Sequence, residues 1–374
     1  MKQKTQVSGG RWIVKLGSSL VTNNGLGLDR EAIADWARQL VHLQLSGIQV
    51  VLVSSGAVAE GVARLNLESR PRQIHRQQAA AAVGQMGLIQ AYEHCFMEQG
   101  VHAAQILLTH EDLSHRTRYL NARSTLLSLL SMGTMPVVNE NDTVATTELC
   151  FGDNDTLAGL VANLINADRM VILTDQEGLF SADPRLSDSA EMVRQASATD
   201  PKLMRLAGKG TDLGRGGMQT KLSAAQLASR SGTSTVIANG RKNAVLIRLM
   251  RGEKLGTLLE ADREPIAARK RWIAGQLVPA GKLQLDSGAV AVLQQSGRSL
   301  LAVGIKSVFG EFNRGEVVAC LDESGKEIAR GLINYDSQHV VRLCGQSSHR
   351  IEEILGFVAE EEIIHRDNLI LGQW

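Results

Sequence analysis

Six short segments of this chain hold residue types that chemistry needs. Lys15-Leu16-Gly17-Ser18-Ser19 and Ser54-Ser55-Gly56-Ala57 each follow an aliphatic run and place small residues, hydroxyls and backbone N–H groups where a strand gives way to a helix. Such a turn receives anions; it is also an ordinary connection in an α/β fold. A third segment, Gly214-Arg215-Gly216-Gly217-Met218-Gln219-Thr220-Lys221, opens a helical pattern that runs on through Ala224, Ala225 and Leu227. It is not a Walker A loop, because no glycine precedes Lys221, and Gln219 stands where the last glycine of a dinucleotide fingerprint belongs. Its glycines still offer N–H donors and a positive helix end to a phosphate. Lys221 could reach a phosphoryl oxygen from the first turns, or be a solvated helix lysine.

Two further segments are acidic and rich in amides: Asn139-Glu140-Asn141-Asp142 and Gly152-Asp153-Asn154-Asp155. Three readings apply to them. They could bind a metal, although the later glutamate of an EF-hand loop is missing. Asp153 could cap the helix that follows. Or the carboxylates and amides could hold a small zwitterion by its ammonium group. The sixth segment, Thr174-Asp175, ends an Ile/Leu strand and leads to Gly178-Leu179-Phe180. An acid there can orient lysines or an ion, or cap the next turn. No Ser-His-Asp, HExxH or GxSxG pattern accompanies these segments, and His102, His110 and His115 lack metal-ligand spacing. Phosphoryl transfer fits the inventory, since its catalysis is mainly positioning and charge neutralisation. A carboxylate acceptor fits well: with a reference pKa of about 4.3 for Glu it is ionised at neutral pH and needs no general base.

The elements that must position these groups follow from periodicity. Aliphatic runs at 12–16, 49–54, 101–109, 135–139, 170–174 and 235–238 read as strands. Helical spacing lies between them, as in Arg30–Leu45, with Asp29 as the expected N-cap and Gly47 as the stop. Buried strands alternating with helices predict an α/β fold with a mostly parallel sheet, whose ligands bind at the carboxyl ends of the strands. After 257 the character changes. A charged stretch with Pro265 reads as a linker over 261–277, leading into a small β-rich module at 278–357 and a tail at 358–374. Strands are expected there at 301–303, 317–321 and 340–343.

Composition bounds the class. Of 374 residues 44% are apolar and 21% charged, which excludes disordered and collagen-like chains. Forty basic against 39 acidic residues leave a net charge of +1, so no global field draws the chain to nucleic acid or an anionic membrane. Cys95, Cys150, Cys320 and Cys344 lie far apart without a CxxC, which suits reduced thiols. The first ten residues are polar with no apolar core of a signal peptide. No apolar run reaches the roughly 18–20 residues of a spanning helix. The expectation is a cytoplasmic chain with no membrane partner.

Taken in order over residues 14–221, these segments resemble the amino acid kinase family, and within it the members that phosphorylate the side-chain carboxylate of L-glutamate. The matching pieces are Val14 to Ser19, Val53 to Ala57, Asn139 to Asp142, Gly152 to Asp155, Thr174 to Leu179 and Gly216 to Lys221. The β-rich tail resembles a PUA domain, so the likeness covers nearly the whole chain. The resemblance implies a three-layer α/β/α sandwich over residues 1–260, with Mg²⁺-ATP as donor and no residue assigned as a metal ligand. It makes Lys15 and Lys221 the lysines that neutralise the phosphoryl group in flight, with Asp175 organising them and Thr174 beside the nucleotide. Arg215, Gly216, Gly217, Met218, Gln219, Thr220 and Lys221 would contact ATP. Ser55, Asp142 and Asn154 would bind glutamate, flanked by Asp153 and Asp155. Two positions depart from the pattern: relatives often carry Thr where this chain has Arg215, and Thr where it has Ser54. The resemblance also implies the first step of proline biosynthesis, feedback inhibition by proline and a dimer or tetramer. Handover of the acyl phosphate to glutamate-5-semialdehyde dehydrogenase is a further expectation, because the product's free amine can close a ring on it.

Two rivals remain in view. Sister kinases of the family take acetylglutamate, aspartate or UMP. Acetylglutamate lacks the free ammonium that Asp142, Asp153 and Asp155 would suit, and the tail does not resemble the ACT domains usual in aspartokinases. Alternatively the PUA-like module binds RNA. It carries eight basic and nine acidic residues over 279–357, a net of −1, whereas RNA-binding modules normally show a basic face.

Overall fold

The computed structural model describes residues 10–23, 25, 27–145, 154–182, 187, 189–206, 217–261 and 279–372. The chain divides into two compact units, Met1–Pro265 and Ile266–Trp374. In chain order the first unit holds β1 (Arg11–Leu16), α1 (Ser18–Val21), α2 (Arg30–Leu45), β2 (Gln49–Val53), α3 (Ala57–Arg64), α4 (Ile74–Met97), β3 (Ala103–Leu108), α5 (His110–Ser114), α6 (Arg116–Ser131) and β4 (Met135–Glu140). It continues with α7 (Asn154–Ile165), β5 (Arg169–Thr174), β6 (Gln195–Ser197), α8 (Pro201–Leu206), α9 (Met218–Ser229), β7 (Ser234–Asn239), α10 (Val245–Met250) and β8 (Thr257–Glu260).

These strands form one sheet in the order β3-β4-β2-β1-β5-β7-β8-β6. Every pairing is parallel except β7 with β8. The alternation of strand side chains divides the core between the two faces. Trp12, Val14 and Leu16 of β1 join one cluster with Leu52 and residues of α2, α4 and α10. Ile13 joins the other with Val51, Val53 and residues of α6, α7 and α9. The expected sandwich and its strand positions are therefore observed. So is the helix at Arg30–Leu45, whose Asp29 side chain accepts from the Ala32 N–H. The short strands β6 and β8 were not anticipated. Among the described residues no helix is long and apolar enough to cross a membrane.

The second unit has a five-stranded sheet of its own: β9 (Gly281–Leu285), β10 (Ile305–Phe309), β11 (Val317–Leu321), β12 (Glu327–Leu332) and β13 (Leu369–Leu371), in the order β10-β9-β11-β12-β13. Two expected strands are corrected. Residues 301–303 give way to a 3₁₀ turn at Ala302–Gly304, and the strand begins only at Ile305. Residues 340–343 lie in a helix, Ser337–Leu343, whose Asp336 side chain caps the His339 N–H. There Val340 and Leu343 are buried while Val341 is 59% exposed, a helical spacing that a short apolar run does not reveal. The tail expected at 358–374 completes the sheet through β13 and buries Ile363 and Ile364. The linker expected at 261–277 lies, past Ala261, outside the described residues. Cys95, Cys320 and Cys344 are free thiols, and Cys150 lies outside the described residues.

Candidate active site

The carboxyl ends of four adjacent strands, β4, β2, β1 and β5, carry the groups singled out above. Lys15 lies on the same face of β1 as Ile13, turned toward the α7 and α9 layer. It is 4% exposed, and Lys221 in the first turns of α9 is 5% exposed. Between them stands Asp155, the second residue of α7, fully buried. Lys15 Nζ pairs with Asp155 Oδ1, and Lys221 Nζ lies 3.0 Å from Asp155 Oδ2. The Thr220 hydroxyl is 3.0 Å from the same Oδ2 and 2.7 Å from the Gly217 carbonyl, two acceptors for its one proton. Burial alone would raise the Asp155 carboxyl. The ammonium charges of Lys15 and Lys221 and their hydrogen bonds outweigh it and hold the carboxyl below its ordinary range.

Close helix packing makes this bridge possible. A Cβ on Gly159, one turn beyond Asp155, would sit 2.8 Å from the Ala224 carbonyl oxygen, so only glycine lets α7 and α9 approach this far. The turn after β2 is likewise built on a glycine. Gly56 adopts φ +107° as it caps α3, and this lets the chain reverse directly after Ser54 and Ser55.

On the β2 side a second network forms around Asn154. Its Nδ2 reaches the Ser54 carbonyl at 2.6 Å, Asn139 Oδ1 at 2.8 Å and Ser55 Oγ at 3.1 Å. Asp142 is half-buried in the turn after β4. On the β5 side Thr174 is buried and its hydroxyl donates to Asp175 Oδ1 at 3.1 Å, while Asp175 is exposed. Gly217 caps α9 without a side-chain hydrogen bond, and a helix N-terminus favours an anion. Asp153, Arg215 and Gly216 lie outside the described residues.

The contacts of the lysines differ from those expected from the resemblance. Asp175 is expected to organise the lysines, with Asp155 beside the substrate; in the structure both lysines pair with Asp155, and Asp175 accepts a hydrogen bond from Thr174. The cause is position. Helix α7 packs on both β1 and α9, whereas Asp175 lies at the exposed end of β5. A signal for this was present in the chain, because Asp155 shares a helical stripe with Ala158, Gly159 and Ala162, and a carboxylate on an apolar stripe needs partners. Sequence reasoning also passed over Gln85 and Tyr92 of α4. The Gln85 Oε1 accepts from Asn139 Nδ2 at 2.7 Å, and the Tyr92 hydroxyl lies 2.9 Å from Ser54 Oγ.

A family model described as the amino acid kinase family matches residues 10–239, and one for the PUA domain matches residues 281–355. The curated glutamate 5-kinase of Thioalkalivibrio sulfidiphilus is 59% identical over 362 residues, 96% of each chain. That of Chromohalobacter salexigens is 58% identical over 361 residues, again 96% of each. That of Methylococcus capsulatus is 56% identical over 374 residues, the full length of both. The chain belongs to the glutamate 5-kinase family. In this glutamate 5-kinase homologue the two networks meet at the start of α7, where Asn154 serves one and Asp155 the other. Two buried ammonium groups face one buried carboxylate here, an arrangement suited to a transferring phosphoryl group.

Proposed function

We infer that the protein transfers the γ-phosphoryl group of ATP to the side-chain carboxylate of L-glutamate, giving L-glutamate 5-phosphate in the first step of proline biosynthesis. The observation that carries this reading is the buried Lys15–Asp155–Lys221 bridge at the strand ends. A carboxylate oxygen attacks the γ-phosphorus, the bond to the β-phosphate oxygen breaks, and ADP leaves without any proton transfer. Lys15 and Lys221 hold the charge that builds on the equatorial oxygens, and Asp155 keeps both ammonium groups aimed at that point. Thr174, Asp175 and the 215–221 segment, Lys221 included, take the nucleotide. Ser55, Asp142 and Asn154, with Asp153, take glutamate.

Bound with the nucleotide, Mg²⁺ would neutralise phosphate charge, held through substrate phosphates, waters and one or two carboxylates. Among the described residues no group of three or more His, Cys, Asp or Glu side chains could hold a metal ion by itself. The buried ammonium groups of Lys15 and Lys221 suit the phosphate oxygens directly.

Several finer points belong to the same reading. The enzyme is cytoplasmic, assembles as a dimer or tetramer and is inhibited by proline. Its acyl phosphate passes quickly to glutamate-5-semialdehyde dehydrogenase, before the free amine cyclises onto it. The test is incubation of purified protein with Mg²⁺-ATP, hydroxylamine and L-glutamate, with N-acetylglutamate, aspartate and UMP in parallel. Hydroxamate from glutamate alone is the expected result. Turnover only with another acceptor would overturn the assignment of Asp142 and Asn154 to a free amino acid, and no turnover at all would favour the RNA-binding alternative.

A further inference from the structure

Asn154 can offer a ligand either end of its amide, and the bonds around it decide which. Its Nδ2 faces the Ser54 carbonyl at 2.6 Å, an atom that can only accept. The nitrogen therefore points inward, and Asn154 Oδ1, which accepts no hydrogen bond from the described residues, is the end available to a ligand. Asn139 is fixed by the same logic. The backbone N–H of Glu140 donates to Asn139 Oδ1 at 2.9 Å, and a backbone N–H cannot exchange roles. The Asn139 Nδ2 must then face α4, where Gln85 Oε1 accepts it at 2.7 Å.

Gln85 is 8% exposed, and its own Nε2 is buried with no hydrogen-bond partner among the described residues. A buried donor left unpaired is costly, and each one in a folded protein asks for a reason. Turning the Gln85 amide over would aim two NH₂ groups at each other, so the oxygen stays on Asn139. The glutamine is held for its acceptor, and the idle nitrogen is the consequence.

We propose that Gln85 is a positioning residue that holds in place the Asn139–Asn154 pair, whose polarity the Glu140 N–H and the Ser54 carbonyl set, and thereby keeps Asn154 Oδ1 where a substrate's free ammonium group can donate to it. This rests on the glutamate-phosphorylating reading above. Without the Gln85 oxygen the Asn139 Nδ2 is left buried without that acceptor, and the Asn139 side chain is held only through its Oδ1, by the Glu140 N–H and by Asn154. Asn139 then shifts, and Asn154, though still oriented by the Ser54 carbonyl, is held less firmly on the β4 side, so its Oδ1 is placed less well for an ammonium group. The nucleotide contacts, carried by β5 and α9, are untouched.

Gln85→Met keeps the length of the side chain and removes the acceptor; Gln85→Glu keeps an oxygen facing Asn139. Full-length wild type and variants are assayed by hydroxamate formation with glutamate varied, then with ATP varied, alongside N-acetylglutamate. Gln85→Met should raise the KM for glutamate about tenfold, the scale of one hydrogen bond to a charged group, and leave kcat and the KM for ATP within about threefold. Its preference for glutamate over N-acetylglutamate should fall, and Gln85→Glu should recover most of the loss. Because Gln85 acts through Asn154, adding Gln85→Met to Asn154→Ala should change the KM for glutamate by less than about twofold. Full additivity, an unchanged KM for glutamate, or equal rises in both KM values would overturn the proposal. If Gln85→Met fails to fold, the glutamate-induced rise in thermal midpoint is compared between wild type and Gln85→Glu, and loss of that rise in the oxygen-retaining variant refutes it. Absence of turnover with glutamate in the wild type would instead remove the functional reading, and this inference with it.

Discussion

Replacing Asp155 by Asn removes the carboxylate that pairs with two buried ammonium groups while leaving the side chain's shape nearly intact. Lys15 and Lys221 are only 4% and 5% exposed, so water cannot take over as their partner without opening the site. Removing one partner of a buried pair costs about 3–5 kcal/mol, chiefly because the remaining charge is stranded. For a unit of this size about 1 kcal/mol corresponds to 2–4 °C, so the thermal midpoint should fall by about 6–20 °C. The catalytic effect runs in parallel: with the lysines no longer held on one point, kcat should drop by at least about a hundredfold. A further consequence distinguishes this account from general damage. The stranded charges attract phosphate more strongly than the paired ones, so pyrophosphate or a non-hydrolysable ATP analogue should raise the midpoint of Asp155→Asn more than that of the wild type. The assay is thermal unfolding with and without the analogue, beside steady-state hydroxamate formation. A variant with wild-type midpoint and kcat, or one stabilised less by the analogue than wild type, would refute the reasoning.

Lys15→Ala and Lys221→Ala should each cut kcat by about a hundred- to a thousandfold with the fold retained by circular dichroism; near-normal turnover in both would sink the catalytic assignment. Gly159→Ala should lower stability by about 1–3 kcal/mol in urea unfolding, because the clash with the Ala224 carbonyl outweighs the roughly 1 kcal/mol that alanine gains in a helix. Its kcat should fall as well, since the shift is one turn from Asp155; unchanged kcat would separate helix spacing from catalysis. The depressed Asp155 carboxyl predicts a pH dependence. Its stabilisation is fully present above the unfolded value of about 3.9 and is lost as pH falls through the lower folded value. The stability gap between wild type and Asp155→Asn should therefore hold from neutral pH to about pH 5 and close below about pH 4. A gap that narrows between pH 7 and 5 would mean another group carries it.

Much of the kinase unit was legible because its signals are local. The runs that became β1, β2, β4, β5 and β7 are aliphatic and flanked by turn residues, and Arg30–Leu45 is periodic from its Asp29 cap onward. The second unit was harder to read for the same reason. Val340, Val341 and Leu343 suit a strand or a helix equally until Asp336 is recognised as a cap. At the site, the hydroxyls, glycines and lysines were legible as types at strand ends, but their partners were not. Asp155 meets Lys15 and Lys221 across 140 and 66 residues of chain, and no short-range pattern states which of several nearby acids will lie between them. Gln85 was invisible for a different reason: a glutamine inside a 24-residue helix has no spacing that marks it until the sheet is folded against it.

The placement of Asn154 and Asp155 side by side has a mechanistic consequence. Consecutive Cα atoms are about 3.8 Å apart, so in the proposed reading the group that would receive the acceptor and the group that pairs with Lys15 and Lys221 are joined by a single peptide unit. Phosphoryl transfer is sensitive to this spacing, because near-attack geometry requires reacting atoms about 3–3.5 Å apart and in line. Helix α7 fixes it without relying on the long connections between strands. Its first turn is tied to β2 through the Ser54 carbonyl, to β4 through Asn139, to β1 through Lys15 and to α9 through Lys221. In the proposed reading two substrates at the ends of different strands would thus be measured against one helix start, whose positive dipole end also favours the negative charge of Asp155. Loosening a tie made by Asn154 should therefore act chiefly on the KM for glutamate, and loosening one made by Asp155 chiefly on kcat.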